Sequence, residues 1–315
     1  MKVYFPNLNS LRFFAALLVI VHHIELYKDM FGLPNIFHNH SIQLMSKFGV
    51  TLFFVLSGFL ITYLLLQEEK ENGIIKIKAF YIRRILRIWP LYYLIILLAF
   101  FVFPHIEFMH LPGHDGSHFF IKLIFFVFML PNVIHAMGAG LAYGTQTWSI
   151  GAEEQFYFIW PWLMNLIKNK LALVLGVIFT YILFKYLLAV SAHLHIVLAY
   201  LNRIWYLFPI DNMAFGGLFA VIYFYKYHKL IQFLENKWLQ IFVWILVLML
   251  IYSGISLGFF HHQIYSLLFG ILINNLALNK NTVIQFKIKI IDYLGKISFG
   301  IYMYHSIFIV LSIKM

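Results

Sequence analysis

Residues 7–29 read NLNSLRFFAALLVIVHHIELYKD, an apolar stretch of about membrane-crossing length that opens with Arg12 and carries two histidines, His22 and His23. Arg12 and His23 stand eleven residues apart. That is close to a whole number of helical turns, so a helix presents both on one face, together with Asn9. The helical rise separates them by about 16 Å along the axis, roughly half the hydrocarbon thickness of a bilayer. Ionisable side chains at that depth are costly and face a protein interior or a watery cavity. The face therefore reads as the lining of a site, with a cation near one membrane surface and an imidazole deep inside. His22 lies about 100° round the helix from His23 and is not expected to serve the same cavity equally.

Working outward, the 315 residues are 63% apolar, 20% aromatic and only 11% charged, which a water-soluble core cannot hide. Apolar segments recur at 8–27, 44–66, 82–103, 119–134, 148–167, 171–190, 206–225, 238–257, 263–278 and 292–313. Their lengths predict an all-α integral membrane protein, a bundle of about ten transmembrane helices forming a single domain over residues 1–315. The chain contains no cysteine, which excludes disulfides, thiolate metal sites and a cysteine nucleophile. A formal net charge of +11 reads as topology-setting Lys and Arg, and nucleic acid is not an expected partner. The first segment contains Arg and His and lacks a small-residue cleavage site, so no cleavable signal peptide is expected.

The stretch QEEKENGIIKIKAFYIRRILR, residues 67–87, is rich in Lys and Arg, which predicts a cytoplasmic loop and a cytoplasmic N-terminus. Lys226, Lys229 and Lys237, then Lys280, Lys287 and Lys289, argue for two further cytoplasmic loops, whereas 104–118 lacks Lys and Arg and is expected outside. Ten single crossings conflict with these charges. Either 119–134, ended by Pro131, does not cross fully, or 194–225 crosses twice with a break at Pro209.

Several residues could carry chemistry. A histidine suits general-base work near neutral pH, although a lone intramembrane histidine also serves as an interhelical hydrogen-bonding group, and Arg12 as an interface anchor. Ser57 and Gly58 in FFVLSGFL read first as a close helix contact. Arg83, Arg84 and Arg87 precede an aromatic edge. Three arginines within five residues suit bidentate phosphate recognition and point to a phosphorylated cytoplasmic cosubstrate. In TWSIGAEEQFYFIWPWL, Ser149, Glu153 and Tyr157 follow each other at four-residue spacing on one helix face, with Glu154 beside them. Acids near a helix N-terminus are favoured by its dipole, yet an intramembrane Glu is also a functional candidate. Asp211 and His305 are further polar positions in apolar segments, read first as packing hydrogen bonds. His105, His110, His114 and His118 lack ligand spacing and read as solvated, so no metal is expected.

Taken together and in order, LNSLRFFAALLVIVHH, FFVLSGFL, RRILRIWP, WSIGAEEQFYFIWP and GKISFGIYMYH resemble the acyltransferase 3 family of polytopic membrane acyltransferases over nearly the whole chain. The resemblance implies O-acylation: an acyl group, acetyl as the expected case, moves from acetyl-CoA as cosubstrate to a hydroxyl of a sugar or cell-surface glycan at the bacterial cytoplasmic (inner) membrane. It makes Arg12 and His23 the essential pair, Arg84 and Arg87 the acyl-CoA contacts with Arg83 beside them, and Ser149 with Glu153 a further pair. Glu153 is expected to be catalytic with Arg12 and His23, Ser149 and Tyr157 to contact the substrate or acyl-CoA, and Asn9, His22, Ser57, Glu154, Asp211 and His305 to stand in supporting positions. His23 is expected to act as general base, or else to take the acyl group itself. Family members often continue with another apolar helix beyond the His305 motif, whereas this sequence stops at Met315. No fused extracytoplasmic esterase-like domain is seen, so a second transfer step is expected to need a separate partner. The rival expectation is a glycolipid or anionic-solute transporter or flippase using the same charged face, although no inverted repeat is visible. A non-catalytic helical membrane partner would not need a deep Arg–His face.

Overall fold

In lipid every backbone amide has to be satisfied within the chain, and helices do this. The computed structural model describes residues 5–112, 118–286 and 288–315, leaving His114 and Lys287 outside the described residues, and among these it contains helices and no strand. The helices are α1 (Pro6–Met30), α2 (His40–Asn72), α3 (Ile77–Leu97), α4 (Phe119–Val127), α5 (Pro131–Ala136), α6 (Trp148–Leu166) and α7 (Lys170–Ser191). They are followed by α8 (Ile196–Tyr206), α9 (Ile210–Phe224), α10 (His228–Leu234), α11 (Lys237–Ser253), α12 (His261–Leu278), α13 (Lys289–Lys296) and α14 (Ser298–Lys314). Side-chain caps fix several starts: Asn39 accepts from the Ser41 amide, Asn169 from Ala172, and Asn236 from Trp238 and Leu239.

Five helical stretches are long and apolar enough to cross a membrane: Asn7–Met30, His40–Asn72, Ile77–His105, Lys170–Ser191 and Ile196–Phe224. Counting the bent pairs α10–α11 (55°) and α13–α14 (76°) as one span each gives up to seven by length and apolarity among the described residues, against ten apolar segments in the sequence. The shortfall has physical causes. Segment 119–134 breaks into α4, of nine residues, and α5, of six, each far too short for a bilayer. Pro131 starts α5 rather than ending a span. Helices α6 and α12 fall short in apolarity alone, because Glu153, Glu154 and Gln155, and His261, His262, Gln263, Asn274 and Asn275, interrupt them; both still run from one end of the bundle to the other.

Interhelix contacts sort the helix ends into two sets. At one end of the bundle, Asn7 donates to the Leu276 carbonyl (3.0 Å), Lys170 bonds Glu69 (3.1 Å), Lys70 lies over Phe224, and Tyr223 reaches Leu278. At the other, Ser41 bonds the Tyr252 carbonyl, and Lys314 reaches the His110 carbonyl (2.9 Å) and the Phe31 ring. The conflict over loop 226–237 disappears: it follows Phe224 at the same end as Asn7, because α4 and α5 do not cross and Ile196–Phe224 crosses once. The Lys-rich segments thus share one end with the start of α1.

The deepest contact is between α2 and α9. A Cβ at Gly58 would fall on the Met213 carbonyl, and one at Gly216 on the Val55 carbonyl, so the two backbones touch. Lipid gives no hydrophobic drive for helix association, and such close approach supplies van der Waals contact in its place. Helix α1 packs on α2 and is flanked by α13 and α14.

Candidate active site

A cavity of about 260 Å³ lies between α1, α2, α3, α6 and the start of α14. Its polar lining is Asn9 and Arg12 from α1, Ser57 from α2, Arg84 and Arg87 from α3, Ser149, Glu153 and Tyr157 from α6, and Ser298 and Tyr302 from α14. Phe53, Leu60, Ile61, Ile88 and Phe299 are among its apolar walls. Each contributing helix delivers its residues at three- or four-residue spacing, so one face of each suffices. Ser149 stands in the first turn of α6, and Glu153 and Tyr157 follow it toward the Lys-rich end.

Arg12 is held from behind. Its Nη1 donates to Asn9 Oδ1 (2.9 Å), Asn9 Nδ2 donates to Asp292 Oδ1 (2.9 Å), and Asp292 also pairs with Lys296 (2.6 Å). Arg84 lies over the rings of Phe80 (5.5 Å) and Tyr157 (5.6 Å), and its buried Nε has no acceptor. Arg87 is exposed. Tyr157 donates to Glu153 Oε2 (3.1 Å) and is bonded to Ser57. Three guanidinium groups against the single carboxylate of Glu153 make the lining cationic. Together with the unmatched Arg84 donor, this suits a phosphorylated ligand. The volume is below the range for whole drug-sized ligands, so the site has room for an extended arm and not for a nucleotide as well.

The structure separates other expected residues from this lining. Arg83 is exposed and turned to Glu68 (3.3 Å). Glu154 points off the Glu153 face and accepts from Trp89 Nε1 (2.9 Å). Asp211 is buried between α9 and α12, where it accepts from Gln263 (2.6 Å), which in turn accepts from Lys185 (3.1 Å). His22 meets the Ile42 carbonyl (2.9 Å) and the Phe37 ring.

His23 does not line the cavity either. It sits behind Tyr302, paired with His305 of α14, the rings 4.8 Å apart. The tautomers follow from the partners, because a carbonyl only accepts. His305 Nδ1–H donates to the Tyr302 carbonyl (2.5 Å), leaving its Nε2 as an acceptor. His23 Nδ1–H points at the Val19 carbonyl (2.9 Å) and at His305 Nε2 (3.1 Å), which leaves the lone pair of His23 Nε2 open. This is the arrangement of a base oriented by a second group.

Three participants escaped the reading of the sequence: Asp292 behind Asn9, Tyr302 in the cavity wall, and Gln146. Gln146 is buried ahead of α6 and donates to the carbonyls of Tyr143 (2.8 Å) and Met303 (3.0 Å). Its own carbonyl accepts from Ser149 (3.2 Å) and Tyr302 (3.0 Å), and its Oε1 from Ser306 (3.3 Å). The one available signal was a Gln three residues before Ser149, between Thr145 and Thr147. No group of three or more His, Asp or Glu able to hold a metal ion occurs among the described residues.

Comparison with known proteins gives the same direction. The peptidoglycan O-acetyltransferase OatA of Listeria monocytogenes is 33% identical over 165 residues, 51% of this chain and 24% of that protein. The putative peptidoglycan O-acetyltransferase YrhL of Bacillus subtilis is 33% identical over 162 residues, 50% of this chain and 23% of that protein. A putative O-acetyltransferase of Staphylococcus aureus is 32% identical over 162 residues, 50% of this chain and 24% of that protein. The matched stretch thus spans about a quarter of the length of each of these relatives. No solved structure matches the chain. The family profile described as an acyltransferase domain matches residues 5–315, and the chain belongs to that acyltransferase family.

Proposed function

We propose that the chain is an O-acetyltransferase of the bacterial cytoplasmic membrane, with its N-terminus in the cytoplasm, moving acetyl from acetyl-CoA to a hydroxyl of a cell-wall glycan. The observation that carries this reading is the cavity in which Arg12, Arg84 and Arg87 converge with Ser149, Glu153 and Tyr157. The Lys-rich end of the bundle matches a cytoplasmic surface. The names of the relatives supply the acetyl group and the glycan acceptor.

On this reading the arginines bind the CoA phosphates, with Arg87 outermost, and the pantetheine arm runs between the apolar walls toward Ser149 and Tyr302. The acceptor hydroxyl oxygen bonds to the thioester carbonyl carbon as the carbon–sulfur bond breaks. His23 Nε2 takes the hydroxyl proton and passes it, through water, to the departing sulfur, so no proton is gained or lost. Tyr302 stands between the two reacting ends, its hydroxyl on the cavity and its carbonyl on His305. General-base assistance contributes on the order of 10²–10⁴-fold, and His23→Ala is expected to lose that much transfer of labelled acetyl from acetyl-CoA to glycan. The assay is run on membranes without an ion gradient, with membrane insertion of the variant checked alongside. Normal transfer by the variant removes His23 as base. Absence of gradient-free transfer by the wild type removes the enzymatic reading.

A further inference from the structure

A second and larger cavity, about 910 Å³, opens at the end of the bundle opposite the Lys-rich one. It is formed by residues between Ala99 and Leu111 beyond α3, by His118 and the start of α4, and by the chain between α5 and α6. Phe100, Phe103, Phe119 and Tyr143 line it as flat apolar surfaces, the Phe103 and Tyr143 rings 4.8 Å apart. Beside them stand the small residues Gly138, Ala139, Gly140 and Ala142. The ionisable lining residues among the described ones are Lys122, His110 and His118, with no Asp or Glu.

The two cavities approach each other across one buried side chain. Tyr143, in the lining of the second cavity, accepts from Gln146. On its other side Gln146 accepts from Ser149 and Tyr302, which line the first. Through Ser306, Gln146 is also joined to the layer that holds His305 and His23.

We propose that the second cavity binds the acyl acceptor, and that it selects a saccharide bearing an anionic group. The inference rests on the acyltransferase reading above and adds to it where the acceptor sits and what it carries. Rings pack against the apolar faces of sugars, small residues leave room beside them, and Lys122, unmatched by any Asp or Glu among the described lining residues, favours an anion. A saccharide held there lies across one layer from the thioester, on the side away from the arginines.

The chain has no cysteine, so Ala142→Cys creates a single thiol in this cavity. In discs of zwitterionic lipid, a membrane-impermeant maleimide labels it in the presence of either of two probes. One is the carboxylate-bearing N-acetylglucosamine–N-acetylmuramic acid disaccharide, the other neutral chitobiose. The anionic probe at ten times its Kd should slow labelling about tenfold, as occupancy of one site requires, and chitobiose should do so only at higher concentration. Adding Lys122→Gln should remove the difference between the probes. Equal labelling with and without the saccharides, protection by chitobiose alone, or protection by anionic lipid and not by saccharide overturns the proposal. The labelling needs no turnover, so a failure of acetyl transfer in the same preparation counts against the acyltransferase reading alone.

Discussion

The two ends of α1 are built differently. At the Arg12 end, Asn9 and Asp292 form a hydrogen-bonded backing, and the guanidinium reaches a cavity rich in positive charge. At the His23 end no salt bridge to the imidazole occurs among the described residues. His23 is oriented by a carbonyl and a second imidazole, and lies one residue behind the cavity wall. The first arrangement suits holding an anion in place. The second suits a neutral base whose free nitrogen must stay unprotonated until a hydroxyl arrives. On the proposed reading, the contrast means that one helix carries binding and proton transfer at separate depths, so the two functions should be separable by mutation.

Among changes that leave His23 itself in place, His305→Ala should give the largest effect, because it leaves His23 able to turn. Misplacing a reacting group by about 1 Å costs on the order of 100-fold, seen here in kcat with the KM for acetyl-CoA unchanged. His305→Asn, which keeps an acceptor, should recover part of that loss, and a change in KM instead would merge the two ends. Arg84→Ala should act in the opposite sense, raising the KM for acetyl-CoA about tenfold or more through loss of a charge-assisted contact while kcat stays close to normal. An unaltered KM would detach the cationic cavity from the donor. The smallest effect is expected from Asp292→Asn, which loosens Arg12 only through Asn9. A rise of about two- to fivefold in the KM for acetyl-CoA, with His23-dependent turnover intact, would sharpen the comparison. A loss confined to kcat would break it.

How far the sequence reached follows the same division. Arg12 with Asn9, Arg84 with Arg87, and Ser149 with Glu153 and Tyr157 are each related by helical spacing, and each set does line one cavity. Spacing also separated His22 from His23. It could not show that His305, 282 positions away, closes on His23, or that Asp292, 283 positions away, backs Asn9, because those pairings depend on how α13 and α14 return to α1. The departure of Arg83 has a similar origin, since its partner Glu68 is on another helix. Apolar length alone also offered 119–134 as a crossing, missing that it breaks into α4 and α5, each too short to cross.

The glycine contact between α2 and α9 carries a mechanical consequence. Two backbones in direct touch slide or hinge only by losing their whole interface, so these helices behave as a single strut through the middle of the protein. A transporter that alternates between inward- and outward-facing shapes needs a plane along which its halves can rock. A fixed strut there favours a stationary scaffold, across which only the small acetyl group has to travel.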